Sequence, residues 1–222
     1  MKNINNTITI DGIDKEIIRS LMTNARTPIL EIAKKIGVSG AAIHQRLRKL
    51  ENSELIEGSK IIINPKLISK ENFSKYGDVI TTKDIKPLEI NNGYAKRFDG
   101  IANLNTTKDN GETTICIFSA LKRSFPMKID MMEKHPLGSQ AFIPMKQTTF
   151  LVLVAPEGNK PDPNKIEAFI VPPQIGVNYN LGTWHFPLIA TEDMNFLVVD
   201  RKGSGDNLVI EYLDKEEIIL KY

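Results

Sequence analysis

Cysteine is almost absent from the 222 residues: Cys116 stands alone. One thiol excludes an internal disulfide and any multi-cysteine zinc or iron–sulfur site. It lies inside Thr114-Ile115-Cys116-Ile117-Phe118, where a small buried hydrophobe is the expected reading. Long hydrophobic runs are also lacking. The longest, Phe150 to Ala155, is far too short to cross a bilayer and suits a buried strand, so no membrane partner is expected. Met1 to Asn6 contains no apolar signal region, which points to a cytoplasmic location. Neither charge sign dominates: the net charge is +2, with 25% charged and 41% hydrophobic residues, a composition that does not indicate disorder. That balance conceals an asymmetry, +3 over residues 1–65 and −1 over the remainder. A mildly basic head is compatible with a polyanion partner without establishing one.

The head carries helical periodicity. Asp11 to Asn24 places Ile13, Ile17, Ile18, Leu21 and Met22 at three- and four-residue intervals. Thr27 as N-cap and Pro28 at the first helical position open a second helix, with Ile29, Ile32, Ala33 and Ile36 on one face and Gly37 at its end. Ser39 caps a third, in which Ile43, Leu47 and Leu50 face inward. Two short helices joined by a glycine-containing turn, the second rich in basic and amide side chains, form a helix-turn-helix. Ser39, His44, Gln45, Arg46, Arg48 and Lys49 are the candidate DNA-binding residues. His44, Gln45 and Arg48 are expected nearest base edges in the major groove, and Arg46, Lys49 or Lys60 nearest phosphates. A three-helix bundle with a solvated basic face is the alternative.

Residues 8–68 resemble the DNA-binding half of the Lrp/AsnC family of regulators. Ile10-Asp11-Gly12-Ile13-Asp14, Asn24-Ala25-Arg26-Thr27, Gly37-Val38-Ser39 and Ile43-His44-Gln45-Arg46-Leu47-Arg48-Lys49-Leu50-Glu51 carry the likeness, which continues into Ile63-Asn64-Pro65. The resemblance implies a small all-α winged or helix-turn-helix domain over residues 1–65, acting on double-stranded DNA. Glu54 departs from it, standing where the family usually has glycine.

From residue 66 to 222 the pattern changes to strands and turns. Apolar runs at 113–118, 141–144, 149–155, 168–171 and 196–199 are separated by breaks such as Pro156-Glu157-Gly158 and Lys202-Gly203-Ser204-Gly205-Asp206. Many strands with turn chemistry between them indicate an antiparallel sandwich or barrel, giving an α+β multidomain chain overall. Two segments concentrate chemistry. Glu133-Lys134-His135 puts Glu133 and His135 on one face of a strand, with Gln140 returning after a Pro/Gly turn. Gly182-Thr183-Trp184-His185 holds the other histidine of this half. Two histidines and a carboxylate make a common metal triad, and satisfied structural histidines are the alternative.

Glu-x-His followed by four residues and Gln has the form of a first cupin motif, and Gly-x-x-His fits the end of a second. The wider stretch 67–213 resembles the ureidoglycolate lyase family, cupin-fold enzymes of purine and allantoin breakdown. The likeness rests on Phe73-Ser74-Lys75-Tyr76-Gly77-Asp78, Ile90-Asn91-Asn92-Gly93 with Arg97, and Glu133 through Lys146. It continues in Gly176-Val177-Asn178-Tyr179, Trp184-His185-Phe186-Pro187-Leu188 and Asp200-Arg201. The resemblance implies an all-β cupin-like barrel that splits ureidoglycolate into glyoxylate and urea. It makes Glu133, His135, His185 and Lys146 catalytic candidates. Arg97, Gln140, Phe142, Tyr179, Trp184 and Arg201 become substrate-binding candidates, with Phe142 and Trp184 as pocket walls and Lys146 and Arg97 as cations for the carboxylate. A surface salt bridge is the alternative for both cations. Glu133, His135, Gln140 and His185 would hold a divalent metal, if one is bound, and that set suits nickel, manganese, iron or zinc. Ser119 replaces a family arginine, with Lys122 or Arg123 nearby as candidates to compensate for it, Phe186 replaces a histidine and Gln147 a glycine. The expected protein is therefore a lyase fused to a DNA-binding regulator, or a regulator whose barrel only senses a ureido acid or glyoxylate. A head that merely drives oligomerisation is the weaker third reading. A homodimer or larger even assembly is expected, because paired heads meet DNA half-sites, with Ile61 to Pro65 as a short connection.

Overall fold

The capping chemistry of the first residues fixes where the head begins. In the computed structural model, which describes residues 9–56, 58, 60–213 and 217–222, Asp11 and Asp14 each accept the other's backbone N–H. This reciprocal cap starts α1 (Gly12–Thr23). Helix α2 spans Ile29–Ile36 and α3 Gly40–Asn52. The second helix starts one residue later than expected. Pro28 is its cap residue and offers no side-chain bond, while the Thr27 hydroxyl turns back to the Asn24 carbonyl at 2.7 Å. Gly37 ends α2 at φ 81°, and Ser39 caps α3 by accepting the Ala42 N–H. Ile17, Ile32, Ala33, Ile43 and Leu50 form a closed core, with Leu47 packed against it. This head is a unit of its own, residues 1–59, and among its described residues there is no strand and hence no wing.

Residues 60–222 form the second unit. Along the chain its first strands are β1 (Lys60–Ile63), β2 (Lys66–Leu67), β3 (Gly77–Ile80), β4 (Leu88–Ile90), β5 (Ala95–Arg97) and β6 (Glu112–Ala120), with a one-turn helix α4 (Lys70–Phe73) before β3. There follow β7 (Met127–Ile129), β8 (Met131–Lys134), β9 (Gln140–Pro144), β10 (Phe150–Ala155) and β11 (Glu167–Val171). The last are β12 (Gly176–Tyr179), β13 (Trp184–His185), β14 (Ile189–Ala190), β15 (Met194–Lys202), β16 (Val209–Tyr212) and β17 (Glu217–Leu220).

These strands build three layers. A five-stranded sheet in the order β3-β12-β9-β15-β6 faces a larger one ordered β16-β8-β13-β10-β11-β2, with β14 also paired to β10. Between them lie Phe142, Val177 and Phe196 from the first sheet and Phe150, Val152 and Phe169 from the second. The hydrogen bonds do not run on from one sheet to the other, so the expected barrel is two facing sheets rather than a closed ring. On the far side of the larger sheet, Leu151, Leu153 and Ala155 pack with Ile129, Ile218 and Leu220 from a small third sheet, β1-β17-β7. Strand β10 is thus buried on both faces. Its unbroken run Phe-Leu-Val-Leu-Val-Ala follows from that double burial.

The third layer corrects one expectation. Ile61 to Ile63 is a strand and not a connection. It pairs in parallel with the final strand, from Lys60 against Glu217 to Ile63 against Leu220. Alternation accounts for the three consecutive isoleucines: Ile61 and Ile63 face the core and Ile62 faces out. Residues 60–65 therefore belong with the β unit.

The one family departure in the head has a visible backbone consequence. Glu54 follows α3 at φ 59°, in the left-handed region that glycine occupies without a Cβ penalty. Glu54→Gly is expected to stabilise the head by about 1 kcal/mol. Thermal melting of the full chain and the variant checks this; an unchanged or lower melting temperature contradicts it.

Candidate functional site

Register sets the site. Strand β8 pairs with β13 so that Glu133 lies opposite His185. Side chains alternate along both strands, so these two face the interior between the sheets while Lys134 and Trp184 face away. On that other side the Lys134 ammonium lies over the Trp184 ring at 4.5 Å, and the Trp184 indole donates to the Gly158 carbonyl at 3.0 Å. Glu133 and His185 line a cleft of about 890 Å³, together with His135, Gln140, Phe142 and Tyr179.

The polar geometry is consistent across the cluster. The Glu133 carboxylate lies 3.6 Å from His185 Nε2, and the ligating atoms of Glu133, His135 and His185 lie within 4.8 Å of one another. His135 Nδ1 donates to the Asn207 carbonyl at 2.6 Å, and His185 Nδ1 to the Thr183 carbonyl at 3.0 Å. Those bonds put a proton on each Nδ1, and both Nε2 atoms are buried with no hydrogen-bond partner among the described residues. Tyr179 stacks on His185 at 4.4 Å between centroids and fixes the ring plane. Burial, with the His135 ring beside it, depresses the His185 pKa to about 3, so this imidazole is neutral at ordinary pH. Burial also pushes the Glu133 carboxyl above the usual carboxylate range, an effect that neighbouring His135 partly offsets. Two orphaned imidazole nitrogens and a carboxylate oxygen facing one point fit a divalent cation. Gln140 is buried beside them and its amide donates to Asp200 Oδ2 at 2.8 Å.

Four sequence candidates lie elsewhere. The Lys146 ammonium pairs with Glu192 at 2.5 Å on the surface beyond the end of β9, and Arg97 pairs with Asp99 at 2.7 Å, both side chains exposed. Trp184 is wholly buried in the core behind the larger sheet, because alternation sends it to the opposite face from His185. Arg201 follows the same rule against Asp200. Its guanidinium donates to the carbonyls of Lys108, Asp109 and Ser204, and a Cβ at Gly111 would lie 2.3 Å from its Nε. Arg201 thus fastens loops behind the sheet. Asp200 is the residue that sequence reasoning missed. It extends the inward series Phe196, Val198, and that period-two pattern was the available signal. Lys122 and Arg123, just past β6, also line the cleft.

On the head, Ala41, His44, Gln45, Arg48, Lys49 and Asn52 share one open face of α3, and Ser39 caps its start. Arg46 turns away from that face. Its guanidinium bonds Asp11 at 2.7 Å and the buried Asp14 at 2.8 Å, tying α3 to the cap of α1. Lys49 reaches the Thr9 carbonyl at 3.2 Å.

A helical head of this kind and a cupin-like β unit with a His-His-Glu cluster define a DNA-binding module joined to a small-molecule site. The comparisons agree. A family model described as ureidoglycolate lyase matches residues 60–220, and one described as an AsnC-type helix-turn-helix domain matches residues 10–51. The ureidoglycolate lyase of Pseudomonas paraeruginosa is 44% identical over 154 residues, 69% of this chain and 91% of that protein. Those of Pseudomonas syringae pv. syringae and Pseudomonas putida are each 40% identical, over 72% of this chain and 94% and 95% of theirs. The chain belongs to the ureidoglycolate lyase family and carries an AsnC-type helix-turn-helix domain ahead of its lyase domain. Among the described residues no helix is long and apolar enough to cross a membrane.

The surface positions of Lys146 and Arg97 give a direct expectation. Lys146→Ala and Arg97→Ala each change turnover by less than about twofold, since exposed ion pairs contribute little. Steady-state kinetics on both variants checks this, and a loss of tenfold or more in either would return that residue to the site.

Proposed function

We propose that the β unit cleaves ureidoglycolate to glyoxylate and urea, and that the head binds double-stranded DNA, coupling this catabolic step to transcription. The observation that carries the lyase reading is the pair of buried, unpartnered Nε2 atoms facing Glu133 in one cleft. Cleavage needs the substrate hydroxyl to lose a proton as the carbon–nitrogen bond breaks, and the leaving nitrogen to gain one. Glu133, with its proton affinity raised by burial, takes the hydroxyl proton and delivers it to the departing urea nitrogen. The carbonyl of glyoxylate forms as the bond breaks, so the reaction needs no oxidant. His135 and the neutral His185 turn their Nε2 atoms toward the reacting atoms, Tyr179 holds the His185 ring, and Gln140 and Phe142 wall the cleft. A divalent cation (nickel, manganese, iron or zinc) would be held by Glu133, His135 and His185 with Gln140 beside them, and would supply Lewis-acid polarisation of a substrate oxygen. In a urea-release assay on ureidoglycolate the wild-type chain is active and His185→Ala is inactive. A wild-type chain that neither binds nor cleaves ureidoglycolate contradicts the substrate assignment.

A second reading, a barrel that senses the ureido acid or glyoxylate without turnover, draws support from Ser119, which lines the cleft with only a hydroxyl. Binding without urea release would favour it.

For the head, α3 enters the major groove, with His44, Gln45 and Arg48 toward base edges and Lys49 toward phosphates. We further propose a homodimer, which presents two heads to two half-sites, in the cytoplasm, where the DNA is. Gln45→Ala or Arg48→Ala is expected to weaken specific DNA binding by about 1–3 kcal/mol and relax one base position. Arg46→Ala should instead lower the melting temperature, because it leaves the buried Asp14 without its cation. Fluorescence anisotropy on operator libraries and thermal melting separate the two effects. Failure of the full chain to bind duplex DNA at low salt overturns the regulator reading.

A further inference from the structure

The cleft is richer in acids than a carboxylate substrate tolerates without help. Glu133 and Asp200 line it, and His185 is held neutral. An anion entering beside two carboxyl groups needs a fixed cation. The cations that the family resemblance offered for the carboxylate, Lys146 and Arg97, are spent on surface partners. Among the described residues, the lysine and arginine that line the cleft are Lys122 and Arg123.

Both sit on an exposed segment whose backbone is nevertheless fastened. The Lys122 N–H donates to Asp193 Oδ1 at 2.7 Å, the Arg123 N–H donates to the Ala190 carbonyl at 2.9 Å, and Lys122 bridges to Ala190 of β14. These bonds fix the points from which the two side chains leave the chain. Among the described residues neither side chain makes an ion pair. They are not equivalent, however. The Lys122 charge reaches Glu192, so part of its field is already taken up. The Arg123 backbone donates to the Ala190 carbonyl and not to a carboxylate. A guanidinium also matches a carboxylate with two parallel N–H donors, which an ammonium cannot do.

We infer that Arg123 grips the substrate carboxylate at the mouth of the cleft, with Lys122 adding to the positive field beside it. The inference rests on the lyase reading for its substrate. It makes Arg123 a binding and specificity residue: its contact is made alike in substrate and transition state, so its loss raises KM and leaves kcat largely intact.

The test compares the full chain with Arg123→Ala and Arg123→Lys in two assays: turnover of ureidoglycolate and of its methyl ester, and calorimetric binding of glyoxylate, which needs no turnover. Arg123→Ala is expected to raise KM for ureidoglycolate about 10- to 100-fold with kcat within a few-fold, and to weaken glyoxylate binding by a similar factor. Arg123→Lys recovers part of both. The uncharged ester is handled equally by wild type and Arg123→Ala. Unchanged KM and glyoxylate affinity in Arg123→Ala, or an ester that responds as strongly as the acid, overturns the inference while leaving the lyase reading in place. A wild type that releases no urea but loses glyoxylate binding on Arg123→Ala keeps the inference and removes the lyase reading.

Discussion

The site depends on one register. His185 stands opposite Glu133 across β8 and β13, and everything that gathers in the cleft follows from that pairing. Because strand side chains alternate with period two, a slip of one residue would carry Lys134 or Trp184 into the cleft and expel a member of the cluster. The outer face guards against it. Lys134 over the Trp184 ring, and the indole bond to Gly158, hold the same two strands from behind. The residues that look like site residues by adjacency, Trp184 and Arg201, instead serve as the back of the site.

The layered core explains how such a short pairing can be rigid. Strand β10, buried on both faces, is the neighbour of β13 and the centre of the larger sheet. Its apolar run packs one way against the sheet that carries Gln140, Tyr179 and Asp200, and the other way against the layer made by β1 and β17. Since β1 follows directly on the helical head, the first strand after the DNA-binding module is also part of the packing behind the lyase cleft.

Much of this was legible from residues alone. Periodicity placed all three helices of the head, Ser39 capped the third as expected while Thr27 did not cap the second, and the five apolar runs each became a strand. The pairing of Glu133 with His135 on one face, and the arrival of Gln140 after a turn, followed from alternation. What could not be read was long-range partnership. Nothing local to Ile61–Ile63 announces a parallel partner at the far end of the chain. Nor does a lysine or arginine in a suggestive place reveal which carboxylate has claimed it, as Glu192 claims Lys146 and Asp14 claims Arg46. Glu54 shows the opposite case, a departure visible in the sequence whose cost appears only in its φ.

The central claim is that His135 and His185 each donate Nδ1–H to a backbone carbonyl and, with Glu133, gather their ligating atoms around one shared point. Long-range nitrogen–proton NMR of the full chain at neutral pH measures this directly. The account predicts a proton on Nδ1 of both rings, a neutral His185, and Nε2 resonances that both move when glyoxylate or zinc is added. A His185 ring protonated at Nε2, or an Nε2 signal of either ring that ignores both additions, would contradict it.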